Sequence, residues 1–185
     1  MTLQDGTNRQ RKAFRALQSL DLFSTLEEYS PVLAGTIPLG IDIADSDLDI
    51  ICQFYQWQHF ERKVIVSFEQ MRGFRIRRTS IQGVLSVVAN FSFGGFPIEI
   101  FGQARPVEEQ NAYRHMQVEA RLLAIGGEKA RRTIRRLKQL GLKTEPAFAR
   151  YFHLEGDPYQ RLLDMFPLSD RELRQIVSQA MDDRG

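Results

Sequence analysis

The chain carries one cysteine in 185 residues, Cys52, so no disulfide framework can form within it. Cys52 follows Leu48, Ile50 and Ile51 in an apolar stretch and reads as a small buried hydrophobe. So few thiols fit a reducing compartment, and a cytoplasmic location is expected. His59, His115 and His153 lack the spacing of a zinc site. The formal net charge is only +2, from 25 basic and 23 acidic residues, so charge alone announces no polyanion partner. Long apolar runs are missing as well. The uncharged stretch from Thr79 to Ile98 contains Gln82, Ser86, Asn90, Ser92 and Gly94-Gly95, which argues against a membrane span. The first ten residues are polar, so no signal peptide or anchor is expected there. Neither repeats nor low-complexity segments occur.

What is present suffices for a real core, since 43% of the residues are hydrophobic. Residues 35 to 50 carry the most information: Gly35-Thr36 lies upstream of Asp47-Leu48-Asp49-Ile50. Side chains alternate along a strand, so Asp47 and Asp49 share one face while Leu48, Ile50 and Ile51 serve the core. Two adjacent carboxylates repel one another unless a cation neutralises them. Their hard oxygens suit Mg²⁺ (or Mn²⁺), which binds through one or two carboxylates and substrate phosphates. Gly35 and Thr36 would offer an open amide and a hydroxyl to those phosphates. The plainer alternative is turn chemistry, with Asp45 and Ser46 closing a loop and Asp42 capping it.

This pattern resembles the nucleotidyltransferase superfamily, the polymerase-beta-like fold. The wider chain is similar to a bacterial branch catalogued as a domain of unknown function, through the stretch from Gly35 to Ile43, Gln110 to Met116 and Lys143 to Phe148. The resemblance implies an α+β class: a nucleotidyltransferase fold, a mixed β-sheet backed by helices, with a helical C-terminal half. It also implies a metal-dependent transfer of a nucleoside monophosphate from a nucleoside triphosphate to an unidentified acceptor, with Asp47 and Asp49 as catalytic metal ligands. Nucleic acid is the less favoured partner, and no membrane partner is expected. A nucleotide-binding module or a metal-dependent phosphohydrolase are the alternatives.

A third acid can be sought without the resemblance. Val87, Ala89, Phe91 and Phe93 share one strand face, Gly94-Gly95 makes a turn, and Ile98 and Ile100 alternate around Glu99. Glu99 is a lone charge in the most apolar neighbourhood and needs a partner. A metal shared with Asp47 and Asp49 supplies one, and Glu99 matches the superfamily's third carboxylate, as ligand or general base.

The remaining pattern gives an αβ core over residues 1–105 and a helical part over 106–185 expected to pack on it, as one structural domain or as two. Strands are expected near 32–35, 47–53, 74–79, 84–93 and 96–102. Helices are expected over 9–29, with a break, and over 56–71, capped by Gly73. Beyond Pro106 helices follow over 107–124, 127–140, 144–154, 158–165 and 169–181, with Thr144 as one N-cap and Ser169 and Glu172 as a capping box. On the basic helix Ala130, Ile134, Leu137 and Leu140 form the buried stripe, leaving Arg131, Arg132, Arg135, Arg136 and Lys138 on the surface. Substrate-side candidates are Gly35, Thr36, Ser46, Lys143, Glu145, His115 and Tyr159. Lys143 sits beside a helix start that could meet a phosphate. His115 could move a proton, stack on a base or simply bond a neighbour. Tyr159, beyond the Asp157-Pro158 turn, offers a stacking platform.

Overall fold

The computed structural model describes residues 3–182; Met1 and Thr2, which begin the polar N-terminal stretch, and Asp183 to Gly185 lie outside the described residues. The chain divides into two compact units, residues 1–40 with 46–110, and residues 41–45 with 111–185.

The first unit is built on a five-stranded sheet in the order β1-β2-β5-β4-β3. Its strands are β1 (Val32–Ala34), β2 (Leu48–Gln53), β3 (Arg72–Ile81), β4 (Val84–Phe93) and β5 (Phe96–Gln103). Only β2 and β5 run parallel; the other neighbours are antiparallel. Both hairpin turns are set by residues at positive φ, Gln82-Gly83 and Gly94-Gly95, whose twist matches that of the flanking strands. Leu48, Ile50, Cys52, Val87, Ala89, Phe91, Ile98 and Ile100 point to one face. Against that face lie α1 (Asn8–Ser19) and α4 (Trp57–Phe68), through Ala13, Ala16, Leu17, Phe60, Val64 and Phe68. Gly102 makes room for this packing, because a Cβ there would stand 2.3 Å from the Phe60 ring. Burial pushes the Cys52 thiol up to about 12, so it is a core side chain without nucleophilic character.

Two short helices complete the unit, α2 (Leu22–Thr25) and α3 (Thr36–Leu39). Gln10 ties α1 to α3. Its backbone and side chain form a capping box with Thr7, and its buried Nε2 donates to the carbonyls of Ile37 (2.8 Å) and Pro38 (3.3 Å).

The second unit comprises α5 (Asn111–Gln139), α6 (Thr144–Phe152), α7 (Pro158–Met165) and α8 (Asp170–Asp182), around Val118, Leu122, Ile134, Phe148, Phe152, Leu162, Met165 and Leu173. The two helices expected on either side of Gly126-Gly127 form one element kinked at Gly127, whose φ is 63°. The Ser169–Glu172 capping box is present, with Glu172 Oε2 accepting from the Ser169 amide at 2.7 Å. Asp157 opens α7 by accepting from the amides of Tyr159 and Gln160.

Several local expectations need correction. Gly73 does not cap α4, which ends at Phe68. It lies inside β3 at φ 74°, where the β3–β4 register shifts between Arg72 and Arg75. A bulge at a glycine uses the same conformational freedom as a helix cap, so sequence alone cannot separate the two. Lys143, not Thr144, is the N-cap of α6. On α5 the buried line runs Ala130, Ile134, Lys138, one residue every fourth, and Leu140 is 70% exposed while Lys138 is only 7% exposed. Lys138 reaches inward because its Nζ donates to the Ile41 carbonyl at 3.2 Å, a contact across 97 residues to which helical periodicity is blind.

Candidate functional site

Strand register places the acids. Asp49 on β2 lies opposite Glu99 on β5, and the row continues to Ala34 on β1 in one direction and to Asn90 on β4 and Arg75 on β3 in the other. Cross-strand partners point the same way, so Asp49 and Glu99 share the sheet face opposite the helix-packed core. Asp47, one residue before β2, falls on that face by alternation and is half-buried, as are Asp49 and Glu99.

The surroundings are shaped for these side chains. Gly35, between β1 and α3, has φ 77° and ψ −158°, a conformation closed to other residues. A Cβ at Gly35 would stand 2.1 Å from Asp49 Oδ2, so the missing side chain is where the carboxylate lies. Thr36, first residue of α3, donates through Oγ1 to Ser46 Oγ at 3.2 Å. Ser46 is 8% exposed, and its carbonyl accepts from Arg9 Nη2 at 2.9 Å. The Arg9 guanidinium also lies over the Phe96 ring, 5.2 Å from its centroid. Residues 35–36 and the loop carrying Asp47 are thereby fastened to one another and to α1. Glu99 Oε2 accepts from Asn90 Nδ2 at 3.1 Å. Arg9 and Asn90 had no sequence signal for these roles, because each acts across a fold-dependent contact.

Hard carboxylate oxygens on neighbouring strands are the donors Mg²⁺ takes. Among the described residues, no group of three or more His, Cys, Asp or Glu is drawn together closely enough to hold a metal ion. Bare carboxylates repel, and here Asp49 rests against Gly35 while Glu99 is held by Asn90. The donor type and the shared face fit the ion.

A second cluster lies in the second unit. His115 Nδ1 is 3.5 Å from Glu145 Oε1, and His115 Nε2 is 2.9 Å from the Tyr159 carbonyl, with the His115 and Tyr159 ring centroids 6.3 Å apart. Three of the expected substrate-side residues therefore meet. Burial works against the charged imidazole, but the Glu145 hydrogen bond and the Tyr159 carbonyl outweigh it and raise its pKa. Burial likewise works against ionised Glu145, and His115 overcomes it, so that pKa falls. Glu119, one helical turn beyond His115, is only 4% exposed, a burial that its place in the sequence does not signal. Burial, with the charge of Glu145, pushes Glu119 up to about 8, against the opposing influence of His115 and Lys138. Lys143 is exposed at the start of α6.

The sheet order, the parallel central pair and the acids facing each other across it define a protein of the polymerase-beta-like nucleotidyltransferase fold. Solved structures with the same fold include a GLD-2/RNP-8 complex, at TM-score 0.54 and 13% identity over 95% of this chain and 78% of that one. Another is the Cid1 poly(U) polymerase bound to MgATP, at TM-score 0.51 and 13% identity over 82% and 47%. A cytoplasmic RNA terminal U-transferase matches at TM-score 0.50 and 14% identity over 81% and 42%. The chain thus spans about half the length of Cid1. Comparison with curated proteins found no match. The chain belongs to the family described as Domain of unknown function (DUF4269), which matches residues 15–165. Among the described residues no helix is long and apolar enough to cross a membrane.

Proposed function

We propose that the protein transfers a nucleoside monophosphate from a nucleoside triphosphate to an acceptor hydroxyl. The observation that carries this reading is the placement of Asp49 directly opposite Glu99, on the face shared with Asp47 and beside Gly35-Thr36. Asp47, Asp49 and Glu99 would hold Mg²⁺, which when bound neutralises phosphate charge and lowers the pKa of a coordinated hydroxyl. The acceptor oxygen bonds to the α-phosphorus as the bond from that phosphorus to the bridging oxygen breaks, and pyrophosphate leaves with the electron pair. Glu99 would either hold that ion or take the acceptor's proton, and the hydrogen bond from Asn90 Nδ2 to its carboxylate supports a fixed orientation. Gly35 and Thr36 position the phosphates, and Ser46 orients the Thr36 hydroxyl. Such a transfer needs positioning and electrostatic stabilisation more than covalent help from the protein.

Residues 1–105 would carry the chemistry. Lys143 and Tyr159 retain exposed surface for a phosphate and a base, whereas His115 and Glu145 hold each other and act by positioning. Transfer of α-labelled phosphate from each of the four NTPs in Mg²⁺ to an acceptor mixture tests the reading. Label appearing on an acceptor supports it. Label released as nucleoside monophosphate makes the protein a hydrolase, and tight MgNTP binding without turnover makes it a binding module.

A further inference from the structure

β3 is the edge strand of the sheet and carries Arg72, Arg75, Arg77 and Arg78, all exposed. In a regular strand Arg72 and Arg75, three residues apart, would point to opposite faces. The bulge changes this: Arg72 pairs with Ser92, Arg75 with Asn90 and Arg77 with Val88, positions that alternate by two along β4. All three arginines therefore share one face, and it is the face of Asp49 and Glu99. Arg75 ends the row that holds both acids. Arg72 ends the next row, through Ser92 and Pro97, which one more residue of the β2–β5 ladder would extend to Asp47.

The fourth arginine serves as an internal control. Arg78 points to the other face, where its guanidinium lies 4.5 Å from the Trp57 ring centroid and its Nε is 3.4 Å from Glu61. It is used in packing, whereas among the described residues no acid pairs with Arg72, Arg75 or Arg77. Charges that merely protect an edge strand need no common face. These three have one, opposite β4 positions two residues or about 7 Å apart, a repeat of the order of one nucleotide in an extended strand. With strands about 4.8 Å apart, the Arg75 backbone stands about 10 Å from that of Glu99, within reach of a chain whose end lies at the acids. Asn90 and Ser92 make the positions next to Arg75 and Arg72 polar, whereas the Arg77 row runs through buried Val88.

Resting on the transferase reading, we propose that Arg72, Arg75 and Arg77 form a phosphate track for the acceptor, and that the acceptor is a single-stranded nucleic acid whose terminal hydroxyl lies at the acids. Guanidinium groups bind phosphate oxygens through paired N–H donors, and a backbone track of this kind reads no sequence.

The test is fluorescence anisotropy with a labelled single-stranded oligoadenylate over a range of salt, beside calorimetric titration of MgATP. Three phosphate contacts contribute about 2 to the slope of log affinity against log salt. The triple variant Arg72→Gln, Arg75→Gln, Arg77→Gln should lose that much slope and keep its MgATP affinity. Arg78→Gln should keep the wild-type slope. An unchanged slope in the triple variant overturns the track, as does binding of phosphatidylserine vesicles but not of the oligonucleotide. Absence of MgATP binding by the wild type would overturn the transferase reading instead, and the oligonucleotide arm would still judge the track by itself.

Discussion

Gly35→Ala separates two roles that one glycine performs at once. At φ 77° and ψ −158° the backbone occupies a region essentially reserved for glycine, and forcing an alanine into it costs about 1–3 kcal/mol. For a chain of this size each kcal/mol lowers the melting temperature by about 2–4 °C. The new Cβ would also stand 2.1 Å from Asp49 Oδ2 and 3.1 Å from its Cγ, so the carboxylate must swing away. That movement costs little stability, because the side chain is short and can rotate, but it removes a ligand from its place. The expected result is therefore a melt lower by several degrees together with at least tenfold weaker Mg²⁺-dependent nucleotide binding. Differential scanning calorimetry and isothermal titration read the two effects separately. In an Asp49→Ala background the overlap disappears and the strain remains, so the stability loss should persist within about 0.5 kcal/mol. Unchanged MgATP affinity in Gly35→Ala would refute the idea that this glycine makes room for the acid, and an unchanged melt would refute the strain.

The second unit should lose stability as pH rises. His115 is raised by folding, so its contribution is whole below 6.5 and fades as pH climbs through its folded value. Glu119 keeps its proton up to about 8 when folded but loses it near 4.5 when unfolded, so stability falls between those limits. Glu119→Gln should flatten the slope of melting temperature against pH between about 4.5 and 8, and an unaltered slope would show that Glu119 does not carry it. In the first unit, Phe60 is fully buried beside Tyr29, Phe54 and Gly102. Phe60→Ala should cost about 3–5 kcal/mol in urea unfolding; a loss below 1 kcal/mol would mean the site collapses around the deletion.

The strands, and the common sheet face of Asp49 and Glu99, were legible because each rests on a local signal. Alternation gave β2, β4 and β5. The Gly-Thr turn upstream of Asp47 and Asp49, and the solitary charge of Glu99, mark the acids. What stayed hidden depends on distant partners. Gln10 reads as a helix-start residue, yet its amide holds α3 across 27 residues. Arg9 reads as a surface charge, yet it fastens Ser46 across 37. Lys138 looks solvated until Ile41 and Glu119 are brought beside it. The common face of Arg72, Arg75 and Arg77 was concealed for a different reason. One bulged residue reverses the parity of a strand, and Gly73 carries no mark that tells a bulge from a helix end.

The central claim is that three acids on one sheet face hold a metal-bound nucleotide, and titration of MgATP into the wild type, Asp47→Asn and Asp49→Asn tests it most directly. Both substitutions keep shape and remove charge, so the variants should melt at or slightly above the wild-type temperature while Mg²⁺-dependent affinity disappears. Wild-type affinity in both folded variants would contradict the claim.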